Sequence, residues 1–331
     1  MEKRPLGRSG ITVGAVGFGT WAIGGEWQDM KGNPLGWGRA DDEESIRAIR
    51  RAMDLGVTLF DTADVYGAGH SEEVLGRAVA GRRDEVVIAS KWGNVFDAAT
   101  RTMADTPDLS PEHARRALTD TLRRLGTDHL DVYHLHVNDA PPDEAAALRE
   151  ACEDLVRAGL VRAYGWSTDD PARARLFARG AHCATVQVNC NVFQDASEML
   201  ALCRELDLGA VIRGPLAMGV LTGKYSSAPG SGAVLQAGDI RAAAPAWLPF
   251  FDGGRLAPAW QERLDAVRDV LTSGGRTPAQ GALAWLWARS PHAVPIPGAR
   301  TVRQAEENAR AMEYGPLTGE QLKEIDALLD R

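Results

Sequence analysis

Titratable and polar side chains gather at a few short points of the chain, each just after an apolar run. Asp61-Thr62-Ala63-Asp64-Val65-Tyr66 follows one such run, Ser90-Lys91-Trp92 the next, then His134-Leu135-His136 and Gly165-Trp166-Ser167-Thr168. Further on come Gln187-Val188-Asn189, Arg213-Gly214-Pro215 and Pro297-Gly298-Ala299-Arg300. A carboxylate, a phenol, an ammonium and imidazoles are groups that move protons and stabilise charge on a reacting oxygen. Such a set needs no metal. The cysteines, Cys152, Cys183, Cys190 and Cys203, show neither CxxC spacing nor clustering with histidine. No zinc site or disulfide framework is therefore expected, and the chain reads as reduced and cytoplasmic.

The elements that would position these groups are short strands alternating with longer amphipathic helices. Strands are expected at Ala15–Gly19, Val57–Phe60, Val86–Ala89, Leu130–Leu135, Val161–Trp166, Ala184–Val188, Ala210–Arg213 and Ala293–Ile296. Several are near-continuous apolar runs, which parallel strands covered on both faces require. Helices are expected at Asp42–Leu55, from Ser71, from Ser110-Pro111 to Leu125, and at Asp143–Ala158, Asp170–Arg179, Ala196–Asp207, Ala259–Leu271 and Pro278–Ala288. Acidic first turns and the Ser110 N-cap before Pro111 mark their starts. Eight strand–helix units predict an α/β fold, a (β/α)8 TIM barrel forming one domain over 1–331. An open dinucleotide-binding sheet would want GxGxxG opening a helix; Gly14-Ala15-Val16-Gly17-Phe18-Gly19 has the wrong spacing.

Ahead of the barrel, Pro5 to Val13 predicts a hairpin turning at Ser9-Gly10 and closing the barrel floor. Two glycine-rich segments, Gly24–Arg39 and Ser226–Arg255, are too long for simple connections and belong on the C-terminal rim, where barrel active sites lie. The 331 residues, 44% hydrophobic and 25% charged, fill a core without staples. A net charge of −8 disfavours nucleic acid and anionic membranes as partners, and no apolar run is long enough to cross a bilayer.

Asp61-Thr62-Ala63-Asp64-Val65-Tyr66-Gly67, with Ser71-Glu72 and Leu75-Gly76, resembles the first signature of the aldo-keto reductases. Lys91 after its strand and Asp131-Val132-Tyr133-His134-Leu135-His136 resemble the next two. Pro215 to Tyr225 and Ile296 to Asn308 resemble the family's cofactor segments. The likeness runs in order from about Leu6 to Asn308 and extends, more distantly, to potassium-channel β subunits. It implies an oxidoreductase moving hydride reversibly between NADP(H), with NAD(H) open, and a small-molecule aldehyde, ketone or alcohol. The implied catalytic residues are Asp61, Tyr66, Lys91 and His136. Lys91 would lower the phenol pKa of Tyr66, ordinarily about 10, Asp61 would hold Lys91 charged, and His136 would bond the carbonyl oxygen.

The resemblance also implies cofactor contacts. Thr20, Trp21 and Asp61 would touch the cofactor, Ser167, Thr168 and Gln187 would hold the nicotinamide amide, and the Arg213 guanidinium would stack on its ring. Pro215, Leu216, Gly219 and Lys224 would wrap the pyrophosphate. Gly298, Arg300, Gln304, Glu307 and Asn308 would meet the adenosine end, Arg300 taking the 2′-phosphate and Arg241 adding a clamp from the long loop. Trp21, Tyr66, Trp92 and His136 would line the substrate pocket.

Plainer readings stand beside these. Asp61 and Lys91 form a buried structural pair in many barrels' terms as readily as a catalytic one. Spacing alone leaves open whether His134 or His136 faces the mouth; the family pattern selects His136, with His134 in the wall. Trp27 and Trp37 are core or pocket. The rival functions are a cofactor-binding sensor with little turnover, and an unrelated barrel enzyme that binds no dinucleotide.

Overall fold

The computed structural model describes residues 3–228, 230–236 and 238–331. Met1 and Glu2 of the expected domain, and Pro229 and Ala237 of the expected long loop, lie outside the described residues.

Eight parallel strands form one sheet in chain order: Phe18–Gly19, Leu59–Asp61, Val87–Trp92, Leu130–Leu135, Val161–Ser167, Cys183–Asn189, Gly209–Arg213 and Ala293–Pro295. A parallel bridge between Gly19 and Gly298 joins the first strand to the end of the last. Bonds from Gly17 N–H to the Pro295 carbonyl and from Gly19 N–H to the Pro297 carbonyl complete the ring. This is the (β/α)8 barrel, built from the expected strands.

Alternation along each strand divides the residues between two cores. Leu59, Val87, Ala89, Val132, Ala163, Ala184, Val211 and Val294 point inward and pack as one cluster. Leu6, Ile11 and Val13 join that cluster from below, because Lys3–Pro5 pairs antiparallel with Thr12–Gly14. The hairpin thus plugs the floor. Arg8 fixes it there, donating to the carbonyls of Cys183, Ala178 and Gly180 at 2.8, 2.5 and 2.9 Å. Outward residues such as Ile88, Tyr133 and Val186 pack against the helices.

The cap read at Ser110 is present, and further helix starts are capped by side chains. The Ser110 and Asp170 side chains accept from backbone N–H groups at the starts of Pro111–Leu125 and Pro171–Phe177, and Thr277 makes a full capping box ahead of Pro278–Arg289. Three helices lie beyond those expected among the described residues: Val302–Arg310, Gly319–Leu328 and the single turn Ile240–Ala243. The first carries three of the expected adenosine-end residues. Among the described residues, no helix is long and apolar enough to cross a membrane, no group of three or more His, Cys, Asp or Glu is placed to hold a metal, and the four cysteines are free, buried thiols.

Candidate active site

The second strand ends on Asp61, and the third continues past Ser90 through Lys91 to Trp92. The parity that points Val87 and Ala89 into the barrel also points Lys91 inward. Its ammonium is fully buried and donates to Asp61 Oδ1 at 2.6 Å, to the Thr62 carbonyl at 2.6 Å and to the Tyr66 hydroxyl at 3.3 Å. Three partners match the three N–H bonds of an ammonium. The second Asp61 oxygen accepts from Gln187 Nε2 at 2.7 Å, and Ser167 Oγ donates to Gln187 Oε1 at 3.3 Å. One network therefore crosses the mouth from the sixth strand to Tyr66.

Tyr66 reaches this network from a tight loop. Gly67 has φ +62°, and a Cβ there would meet the Gly24 carbonyl oxygen at 1.9 Å. Only glycine lets the Tyr66 loop lie against the Gly24 backbone. The Tyr66 ring stacks on Trp21, 5.9 Å between centroids and 21° between planes, and meets the His136 ring edge-on at 5.7 Å.

Charge in this pocket follows from burial. Burial pulls the Lys91 pKa down, but Asp61 and Tyr66 outweigh it and hold it above the ordinary lysine value. Burial pushes the Asp61 carboxyl up, opposed by Lys91 and Gln187. For Tyr66, burial is the largest influence and raises the phenol pKa, while Lys91 lowers it by less. Lys91 thus acts in the expected direction, but burial outweighs it: the net direction is upward, and the phenol stays protonated. Burial, then Lys91 and Arg213, press the His136 pKa well below its usual value, so its imidazole is neutral, and its Nδ1 is buried without a partner.

His134 pairs with Lys91 across the strands and faces the barrel interior, where Nε2 meets Thr185 Oγ1 at 2.9 Å. It therefore shares a face with His136 rather than turning into the wall. Burial brings its pKa down to about 3.

These groups open on a cavity of about 720 Å³. Its lining includes Trp21, Asp61, Tyr66 and His136, with Ser167, Gln187 and Arg213. Pro215, Leu216, Gly219 and Lys224 also line it, as do Gly298, Arg300, Gln304, Glu307 and Asn308. Three expected contacts fall elsewhere. Thr20 is fully buried and donates to the Asp61 carbonyl at 3.0 Å while accepting from Ser71 Oγ at 2.7 Å, tying the first two strands. Thr168, one residue beyond inward-facing Ser167, turns outward and donates to the Asn138 carbonyl at 2.9 Å. Trp92 follows inward-facing Lys91, so it faces the helices and stacks on Tyr133 at 6.1 Å.

The rim loops add residues that the sequence left open or did not offer. Trp27, Leu35 and Trp37 line the cavity from one loop, and Asn94 and Met103 from another. The short pairing of Gln28–Asp29 with Thr102–Met103 holds those loops together. From the long loop, Ile240, Arg241, Trp247, Leu248 and Phe250 line the cavity: Arg241 donates to Asp239 Oδ1 at 2.9 Å, to the Met218 carbonyl at 3.0 Å and to the Tyr225 hydroxyl at 2.7 Å, and lies 4.1 Å from the Trp37 ring centroid. Its charge is already met by Asp239, so it braces the loop rather than standing as a free clamp. Arg300 donates to the Trp37 and Arg39 carbonyls at 3.0 and 3.4 Å, and Arg213 pairs with Asp169.

Residues 15–330 match the family model described as "Aldo/keto reductase family". The chain belongs to the aldo/keto reductase family. It is 30% identical to aldo-keto reductase YhdN of Bacillus subtilis over 100% of this chain and 94% of that protein. It is 28% identical to the NADH-specific methylglyoxal reductase of Escherichia coli, covering 100% of this chain and 98% of that one. Among solved structures, an aldo/keto reductase from Klebsiella pneumoniae in complex with NADP and acetate is similar at a TM-score of 0.68, 28% identical over 99% of this chain and 96% of that chain.

Proposed function

We propose that this reductase moves hydride between NADP(H) and a small carbonyl or alcohol compound, with Tyr66 as the acid in the reducing direction. The observation that carries the reading is the Lys91 ammonium, bonded at once to Asp61 and to the Tyr66 hydroxyl, beside a neutral His136 that lines the same cavity.

The residues present fit a dinucleotide. Amide and hydroxyl groups of Gln187 and Ser167 adjoin the Asp61–Lys91–Tyr66 network, and the cations Lys224 and Arg300 line the same cavity. A bound nicotinamide would supply the hydride. The protein supplies a proton to the carbonyl oxygen from the Tyr66 hydroxyl and a hydrogen bond to the same oxygen from His136. A buried phenol kept protonated is suited to donating, and Lys91 stabilises the phenolate left behind. Asp61, held by Gln187, keeps Lys91 charged and aimed. In the oxidising direction the same phenolate accepts the alcohol proton. The complete set of four argues against a sensor without turnover, and the buried free thiols fit a reducing cytoplasm.

The test is consumption of NADPH or NADH with a panel of aldehydes and ketones. NADPH should be preferred, and Arg300→Gln should weaken NADPH binding by about tenfold, as expected for one lost charged hydrogen bond, while leaving NADH binding unchanged. Failure to bind either dinucleotide would refute the proposal.

A further inference from the structure

The wall around the Tyr66 hydroxyl is apolar. Trp27 and Val65 pack there with Trp21, Leu35, Tyr66 and Met103, and Trp37 stands edge-on to Trp21 at 5.6 Å. Trp21, Leu35, Trp37, Tyr66 and Met103 are only half-buried and line the cavity. Part of the surface they leave uncovered is thus turned to the substrate end, where an apolar occupant would displace water from it. The Trp21 indole N–H is spent on the Leu35 carbonyl at 3.1 Å, which fixes the ring and leaves its face for contact.

With a dinucleotide bound, that end has no spare positive charge. Among the described residues, the cations that line the cavity are Arg213, Lys224, Arg241 and Arg300, and Lys224 and Arg300 are the two given above to the dinucleotide. Lys91 is sealed behind Tyr66, with its three N–H bonds on Asp61, Thr62 and Tyr66. Arg213 is paired with Asp169, and Arg241 with Asp239 behind the Trp37 ring. Burial leaves His136 uncharged. An anionic group pressed against this wall would give up water without gaining a counter-charge.

We propose that the site takes uncharged carbonyl compounds with a flat aromatic body, and that Trp21, Trp37 and Met103 select them against anionic aldehydes. This rests on the reductase reading and names the substrate class of that same site. A planar body lies along the Trp21 face, while its carbonyl oxygen meets Tyr66 and His136.

Three probes decide it with the full-length protein and saturating NADPH at pH 7: methyl 4-formylbenzoate, 4-carboxybenzaldehyde and propanal. The first two share ring and carbonyl and differ in charge. The ester should exceed the carboxylate in kcat/KM by at least about tenfold, and propanal should be the poorest of the three. Trp37→Ala should raise KM for the ester by about tenfold with kcat little changed, the pattern of lost uniform binding. Met103→Arg should raise kcat/KM for the carboxylate and narrow the ratio. Equal or preferred turnover of the carboxylate, or preference for propanal, would overturn the inference while leaving the reductase reading intact. No NADPH consumption with any of the three, or with the wider carbonyl panel, would overturn both.

Discussion

The Lys91–Asp61 pair supports a prediction that separates its structural from its chemical part. Both side chains are almost wholly buried, 0% and 3% exposed, and 2.6 Å apart. Lys91→Met leaves the Asp61 carboxylate with Gln187 as its remaining side-chain donor. Asp61→Asn leaves an ammonium in the barrel with no counter-charge. Breaking one side of such a buried pair costs about 3–5 kcal/mol, because an uncompensated charge stays desolvated. Replacing both removes the charges together, so the double variant should recover to within about 1–2 kcal/mol of the parent. The coupling energy is then several kcal/mol, well above the roughly 0.5 kcal/mol scatter of independent sites. Urea unfolding followed by tryptophan fluorescence reads it, since Trp92, Trp166 and Trp285 are fully buried and become exposed only when the barrel unfolds. Turnover should not recover: all three variants should lose about 10²–10⁴ in kcat, the range of one positioned acid with its support. Single losses that simply add in the double variant would refute the buried-pair reasoning. Restored turnover in the double variant would refute the role given to Lys91.

His134, with a folded pKa of about 3, sits below its unfolded value, so its stabilising effect is complete above pH 6.5 and is lost as pH falls. His134→Leu should flatten the decline in unfolding free energy between pH 6 and 4 by about 1.4 kcal/mol per pH unit, measured by denaturant titration at each pH. Because burial raises the Tyr66 pKa, kcat/KM for carbonyl reduction should hold flat through neutrality and fall only above about pH 10, while alcohol oxidation rises with pH; a pH–rate profile in both directions checks this. Gly67→Ala should cost at least about 1–3 kcal/mol through backbone strain and displace Tyr66, lowering both the melting temperature and kcat; an unchanged kcat would contradict the close approach to Gly24.

Strands were legible because several are near-continuous apolar runs, and Ser110 before Pro111 announced a helix start by local chemistry; the Thr277 capping box was there to be read and was not. Site parity was less so. Where the third strand ends decides which way Lys91 and Trp92 point, and only the pairing of Trp92 with Leu135 shows that the strand runs that far. The same one-residue alternation sends Thr168 outward while Ser167 faces the cavity. The helix Val302–Arg310 was available from Thr301, a good N-cap, and from Gln304, Glu307 and Asn308 at helical spacing. The rim loops were not. Their shape depends on contacts between distant segments, such as Arg241 over Trp37 and Arg300 on the Trp37 carbonyl. The direction of the Tyr66 shift also escaped the sequence: it depends on how deeply the phenol is buried, and a lysine neighbour alone argues for the opposite sign.

The central claim is that the Tyr66 hydroxyl supplies the proton beside a bound dinucleotide. Tyr66→Phe removes that oxygen and little else, since the ring keeps its stack on Trp21. NADPH binding, titrated by fluorescence, should stay within about twofold, while single-turnover reduction of an aromatic aldehyde falls at least about 10³-fold. A variant that binds NADPH normally and still reduces the aldehyde at a comparable rate would contradict the account.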